Sequence, residues 1–326
     1  MRVLVTGARG LLGSATAEAI RAEGHEVRVF QRTPSGLDID EVLGDIRDPV
    51  AVSRAVHGCE AVVHLAARVG VGGSPRDFAS VNVDGTATTL AAAREAGVRV
   101  FIQVSSPSVA HLGRALVGAP AGPADPERAR SPYARTKARA EQIALAADEP
   151  GFAVVALRPH LVFGPGDVQL IEPIWRRARA GRLIAVGSGL ALIDTTVVQN
   201  AASAMVAALR RADVAHGSAL VVSNGEPRTV VELLDAITAA ADLPAVTRSI
   251  PLPIARLAGW GVEGAWRLAR RRGEPPLTAF VAEQLGTAHW FDQRRTRDLL
   301  DWRPRVTLDE GLAALAAVCA SGRMHR

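Results

Sequence analysis

Val3-Leu4-Val5-Thr6-Gly7-Ala8-Arg9-Gly10-Leu11-Leu12-Gly13 is the stretch that decides how this chain folds. Val3 to Val5 is a short apolar run of the kind a fully buried strand needs. Leu11 to Glu23 carries helical spacing, and Gly24 marks its end. Between strand and helix stand three glycines, spaced Gly-x-x-Gly-x-x-Gly. Glycine lets the backbone turn tightly and lets a pyrophosphate come close, while the free N–H groups of the helix start offer partial positive charge. The spacing differs from the commoner Gly-x-Gly-x-x-Gly fingerprint, but its place between a first strand and a first helix carries the same meaning.

Outward from this point, strand and helix alternate. Val27 to Phe30, Ala61 to Leu65, Val100 to Val104 and Ala153 to Leu157 read as strands, with a helix from Phe78 to Ala96 among them. This alternation predicts an α/β fold, a Rossmann-type doubly wound parallel sheet with helices on both faces. Gly164-Pro165-Gly166 breaks the pattern. Val197 to Arg211 then reads as a helix, and Ala219 to Val222 as a strand that rejoins the sheet. Further helices are expected at Thr229 to Ala241 and Leu308 to Val318. The expected division is a nucleotide-binding domain from residues 1–164 and 194–222, with a smaller, discontinuous C-terminal substrate-binding lobe from residues 165–193 and 223–326.

The end of the second strand speaks to the cofactor. An NAD site usually places Asp or Glu there, roughly 20 residues past the glycines, to hold the ribose 2′-hydroxyl. Here Gln31-Arg32-Thr33 has no acid. Arg32, helped by Arg9 in the glycine loop, suits a 2′-phosphate, so NADP(H) is expected ahead of NAD(H).

Composition narrows the classes. The net charge is +5, but the arginines are scattered except for Arg270-Arg271-Arg272, which reads as solvated surface and not as a nucleic-acid face. Cys59 and Cys319 have no CxxC spacing, so neither a disulfide framework nor a zinc site is expected. No metal cluster is suggested by the histidines and carboxylates. A strand pattern begins at Val3 with no leader before it, and no apolar run reaches the ~20 residues that span a bilayer, so a cytoplasmic protein is expected.

Lys137 is the one lysine among 38 basic residues, and Tyr133 is the one tyrosine. A composition that all but abandons both residue types keeps one of each, four positions apart. Ser131 suits a helix N-cap and Pro132 the first helical position, which puts Tyr133 and Lys137 on one face. An ammonium beside a phenol is expected to pull the phenol down from about 10 toward neutrality, where it can exchange a proton. Ser106, just past the Val100–Val104 strand, falls at the carboxyl edge of the sheet, where ligands of such folds bind.

These motifs, with Gly44-Asp45, His64-Leu65-Ala66-Ala67, Ser105-Ser106 and Arg158-Pro159 through Gly166, resemble the extended short-chain dehydrogenase/reductases, the NAD-dependent epimerase/dehydratase superfamily. The resemblance implies Ser106, Tyr133 and Lys137 as the catalytic trio. It implies cofactor contacts from Gly7, Arg9, Gly10, Leu11, Leu12, Gly13 and Arg32, from Asp45 and Ile46 at the adenine, and from Leu65, Ala66 and Ala67 along the cofactor. Tyr133 and Lys137 also belong to that set, with Pro159, His160 and Leu161 near the nicotinamide. His160 is a candidate to face substrate, His64 a cofactor-edge position, and Asn82 a structural one. Phe163 and Val197 stand where many relatives have tyrosine.

Asp194 to Asn200 is similar to the 3β-hydroxysteroid dehydrogenase-like branch of that family. Ser223 to Pro227, Val246 to Ser249, Pro276 to Thr278, His289-Trp290 and Arg303 to Val306 resemble the bacterial 2-alkyl-3-oxoalkanoate reductases of olefin synthesis. The implied reaction is NADPH-dependent reduction of a 3-keto group on a long apolar chain, so the expected partner is a small-molecule apolar ketone or alcohol substrate. Alternatives are a sterol dehydrogenase, a nucleotide-sugar epimerase or dehydratase drawing on Arg176, Arg182 and Arg256, and a cofactor-sensing protein without turnover. Ile250 to Arg272 is amphipathic, which admits either a core-facing helix or a membrane-surface helix. A homodimer, a multi-enzyme complex and a peripheral membrane contact are the further associations considered.

Overall fold

A computed structural model describes residues 1–70, 73–269 and 278–321. Arg270-Arg271-Arg272 and Pro276-Leu277 lie outside the described residues. Seven parallel strands form the main sheet: β1 Arg2–Thr6, β2 Glu26–Gln31, β3 Asp40–Leu43, β4 Ala61–His64, β5 Val100–Val104, β6 Ala153–Pro159 and β7 Ser218–Val222. Their order is β7-β6-β5-β4-β1-β2-β3. Strand order reverses between β1 and β4, and ligands of open α/β sheets bind at such a reversal. Val3, Leu4, Val5, Val62, Val63 and Ile102 are buried on both faces, as a helix-covered parallel sheet requires.

Five helices frame the cleft and its surroundings: α1 Leu11–Ala22, α2 Gly85–Glu95, α3 Pro132–Ala146, α4 Val198–Arg210 and α5 Leu252–Leu268. Ala17 and Ile20 of α1 and Met205 and Leu209 of α4 fill one face of the sheet. Phe30, Val52, Leu90 and Phe101 fill the other. The helix expected over 78–96 is interrupted: Pro75–Ala79 is α-helical, Ser80–Asp84 is a π-helical turn, and α2 follows. The wide turn coincides with Asn82, whose amide is bonded on both edges. Its Oδ1 accepts from Arg68 N at 2.7 Å, and its Nδ2 donates to Arg68 O and Thr136 Oγ1, each at 3.0 Å. Such a turn inside a helix has an identifiable local cause, here the side chain tied to a loop and to α3.

A second apolar core gathers Phe163, Ile171, Trp175, Leu233, Ile237 and Leu315. Two stretches cross the division expected from the sequence. Leu116–Ala119, inside residues 1–164, pairs in parallel with His289–Phe291 in a four-stranded sheet on the far side of the cleft. Leu300 and Trp302, inside residues 223–326, are buried in the core beneath the main sheet. Tertiary pairing over 170 positions leaves no local mark in the sequence. Among the described residues no helix is long and apolar enough to cross a membrane.

Candidate active site

The glycine loop is built by close approach. Gly7 has φ +79°, which L side chains resist, and its N–H donates to Phe30 O at 2.9 Å. A Cβ at Gly7 would meet Ala66 Cα and N at 3.0 Å, and one at Gly13 would fall 2.2 Å from Gly7 O. Gly10 differs: a Cβ there would touch only Gly7 O, at 3.5 Å, so its outer side is open. Gly10 caps α1 with no side-chain hydrogen bond, which leaves the first turn's N–H groups for a ligand. The cradle therefore fits a dinucleotide pyrophosphate.

The cleft above it has a volume of about 620 Å³. Gly7, Arg9, Gly10, Leu11, Leu12 and Gly13 line one end, and Ser106, Tyr133, Lys137, Pro159 and Leu161 the other, with Leu65 and Ala67 between. Five expected contacts are not on its wall. Ala66 gives its N–H to Thr6 Oγ1 at 3.0 Å. Ile46 is buried against Gly85, where a Cβ would come within 2.5 Å of its Cδ1. Asp45 binds Arg47 through Nε at 2.9 Å and Nη2 at 2.7 Å, which holds its carboxyl down at about 2. Arg32 lies close enough to Asp45 to contribute to that lowering. Arg9 reaches the same region and donates to Thr33 Oγ1 at 3.0 Å.

His160 is turned away from the cleft. It is buried, with Nε2 2.8 Å from His289 Nδ1 and its ring edge-on to Phe291. His289 Nε2 lies 2.6 Å from Gln284 O, so Nε2 is the donor there and His160 donates to Nδ1. The pair fastens the end of β6 to His289–Phe291 of the opposite lobe. Burial drives His160 well below its ordinary range and His289 to about 4. Among the described residues no three His, Cys, Asp or Glu are grouped to hold a metal.

His64 has an equally defined role in the scaffold. Thr86 Oγ1 gives its hydrogen to Asn82 O, which makes His64 Nε2 a donor and Nδ1 an acceptor, so Thr6 Oγ1, accepting from Ala66 N, donates to His64 Nδ1 at 3.0 Å. His64 Nε2 then donates to Thr86 Oγ1 at 3.2 Å, and Thr86 donates to Asn82 O at 2.7 Å. This chain ties β1, β4 and the π-helical turn together directly behind the glycine loop. Desolvation, aided by the Lys137 charge, lowers His64 to about 3, so the ring is neutral. The linkage has a definite sign. An unfolded chain takes up a proton on His64 below its ordinary 6.5, whereas the folded chain does so only near 3. Stability contributed by the neutral ring is therefore lost as pH falls through that window, about 2 kcal/mol by pH 5. His289 acts in the same direction. Asp194, raised to about 6 by burial, opposes them, since its neutral form is favoured as pH falls. Urea midpoints are expected to be lower at pH 5 than at pH 7.

Tyr133 and Lys137 lie on one face of α3, whose N-cap Ser131 accepts from Ala134 N at 3.1 Å. Ser106 lies close enough to Tyr133 to lower its phenol, and its Oγ contacts Ser108 Oγ at 2.9 Å. Lys137 is buried and donates from Nζ to the carbonyl of Val104. Desolvation lowers its ammonium to about 8, with Glu141 one turn on pulling the other way. The phenol departs from expectation: burial raises Tyr133 above its usual 10, and Ser106 lowers it only in part. The ammonium is engaged with Val104 O, so burial wins.

Beneath this trio lies a pair that the sequence alone does not single out. Arg158 donates to Glu141 from Nε at 2.8 Å and from Nη2 at 2.5 Å, and from Nη1 to Gly122 O at 2.7 Å. Both side chains are 1% exposed. The available signal was the repeat Tyr133, Lys137, Glu141 at helical spacing. Phe163 and Val197 pair in parallel and close over Gly311, where a Cβ would fall 2.5 Å from Val197, so they serve packing.

The NAD dependent epimerase/dehydratase family matches residues 3–223. A 2-alkyl-3-oxoalkanoate reductase of Stenotrophomonas maltophilia is 41% identical over 98% of this chain and 100% of that protein. One of Shewanella oneidensis is 35% identical over 96% of this chain and 85% of that protein. A dTDP-glucose 4,6-dehydratase of Streptomyces venezuelae, solved with NAD bound, superposes with a TM-score of 0.76 at 23% identity, covering 99% of this chain and 98% of that one. That likeness speaks for the fold alone.

Proposed function

We propose that this chain, which belongs to the NAD dependent epimerase/dehydratase family and is an NAD(P)-dependent oxidoreductase, reduces the 3-keto group of a 2-alkyl-3-oxoalkanoate to the secondary alcohol. The observation that carries the substrate reading is the character of the cleft beyond Tyr133. Leu161, Val162, Val168 and Leu170 line it there with Asp167 and Gln169, and among the described residues no arginine does. A nucleotide sugar would require cations for its diphosphate. Arg176 and Arg182 are not on that wall, and Arg256 is paired with Glu283 at 3.2 Å.

NADPH, held by the glycine loop and the N-terminus of α1, would supply the hydride for carbon 3. The protein's own work is at the oxygen. Ser106 and Tyr133 both line the cleft, and together they would hold the carbonyl oxygen. The Tyr133 hydroxyl gives its proton to that oxygen as negative charge develops. A phenol raised by burial stays protonated at neutral pH, which suits a donor in the reductive direction. Lys137 places a positive charge beneath the site and favours the phenolate left behind.

Preference for NADPH over NADH is read from Arg9 and Arg32 at the end of β2. A charge-assisted bond to a 2′-phosphate contributes about 1.5–3 kcal/mol. Arg32→Glu is expected to raise the KM for NADPH by about ten- to a hundredfold and to leave NADH nearly unchanged. Initial rates with both cofactors check it.

The test of the function is a cofactor-oxidation screen over 2-alkyl-3-oxo acids, 3-ketosteroids and nucleotide sugars. Turnover of the 2-alkyl-3-oxo acids with NADPH is the expected result. Activity confined to nucleotide sugars would overturn the substrate reading, and a preference for NADH would overturn that of Arg32.

A further inference from the structure

Helix α5 is packed on one side only. Ala255 is buried, and Gly259 presses so closely on Ala279–Gly286 that a Cβ there would fall 2.4 Å from Ala279 N. Glu263 Oε1 accepts the Ala279 N–H at 2.9 Å, so the acid of this helix is engaged on the packed side. The other side carries Ile254, Leu257, Trp260 and Leu268, exposed by 57, 68, 54 and 88%. At 100° per residue these four fall within about 120° of one another. Every other exposed position described on α5 is proline, alanine or glycine. A contiguous apolar face of this kind marks a contact surface.

The surroundings of the face point to its occupant. The stretches outside the described residues are 71–72, 270–277 and 322–326, and their large apolar side chains are limited to Val71, Leu277 and Met324. They carry too little apolar surface to cover it. The strand pair leading into α5, Ala185–Val186 with Ser249–Ile250, is flanked by the exposed Arg182 and Arg248. Ala185 N–H bonds Arg248 O at 2.9 Å, which sets Arg248 beside exposed Ile184. A second copy docked two-fold on this face would set these arginines against another part of the same face, where α5 offers no exposed acid. An anionic headgroup layer complements them.

We infer that this face of α5 seats on an anionic lipid surface, with Leu257, Trp260 and Leu268 entering the headgroup boundary and Arg182 and Arg248 meeting lipid phosphates. The inference stands apart from the substrate assignment, because it uses no residue of the cleft.

Co-sedimentation with vesicles of phosphatidylglycerol and phosphatidylcholine in equal parts tests it, beside vesicles of phosphatidylcholine alone. The full chain is expected to pellet with the mixed vesicles, to do so several-fold less with phosphatidylcholine, and to be released by salt. Leu257→Glu/Leu268→Glu is expected to cut the bound fraction at least tenfold and to leave NADPH oxidation on a short, water-soluble ketone unchanged. Arg182→Glu/Arg248→Glu provides a second route that leaves the apolar face intact, with a several-fold loss on mixed vesicles. Wild-type protein that stays in the supernatant with mixed vesicles overturns the proposal. So does a Leu257→Glu/Leu268→Glu protein that still pellets but falls from dimer to monomer mass, which assigns the face to a second copy.

Discussion

Tyr133→Phe is expected to lower kcat for ketone reduction by about 10²–10⁴-fold, the usual range for a positioned proton donor. Hydride addition leaves charge on the former carbonyl oxygen, and the Tyr133 hydroxyl, beside Ser106 on the cleft wall, is the acid proposed to neutralise it. The substitution keeps the ring and removes one oxygen. Ser106 retains its contact with Ser108, so the local structure has no reason to rearrange. KM should change little, because a loss confined to the transition state appears in kcat and kcat/KM together. Steady-state kinetics with thermal unfolding of the same samples separates this outcome from simple misfolding.

Glu141→Gln is expected to cost about 3–5 kcal/mol of stability, the range for removing one partner of a buried ion pair. Arg158 would keep Gly122 O but lose the carboxylate that takes two of its N–H groups, in a site closed to bulk solvent. The pair joins α3, β6 and the loop at Gly122, so the loss is felt under the whole active site. Lys137 also loses the negative charge that holds its ammonium up, and should titrate below about 8. Urea unfolding at pH 7 measures the first effect. A cost under about 1 kcal/mol would mean the pair is not what fixes α3. Glu141→Leu/Arg158→Met, which replaces both charges with apolar volume, should recover much of the loss.

What could be read from the sequence was local. The glycine loop was legible because a strand, a turn and a helix start must follow one another within a dozen residues, and each leaves its own mark. Tyr133 and Lys137 were legible because one helical turn joins them and the rest of the chain lacks both residue types. Ser106 followed from its place at the end of a strand. The remainder depends on tertiary environment. Glu141 and Arg158 are 17 positions apart on different elements, and His160 meets His289 across 129. The direction of the Tyr133 shift was misjudged because spacing reports a neighbouring charge but not the burial that outweighs it. The Ser80–Asp84 turn depends on Asn82 reaching Arg68 and Thr136, a contact that no helical period reveals. The pairing of Leu116–Ala119 with His289–Phe291 is hidden for the same reason.

Hydride delivery to a ketone in the cleft that holds Ser106, Tyr133 and Lys137 is the central claim. Single-turnover reduction of a 2-alkyl-3-oxoalkanoate with NADPH carrying deuterium at both positions of nicotinamide carbon 4, read by mass spectrometry of the product, tests this most directly. One deuterium at carbon 3 of the resulting hydroxy acid is the predicted result. A product without deuterium at that carbon, or no product beside a nucleotide sugar that is turned over, would contradict it.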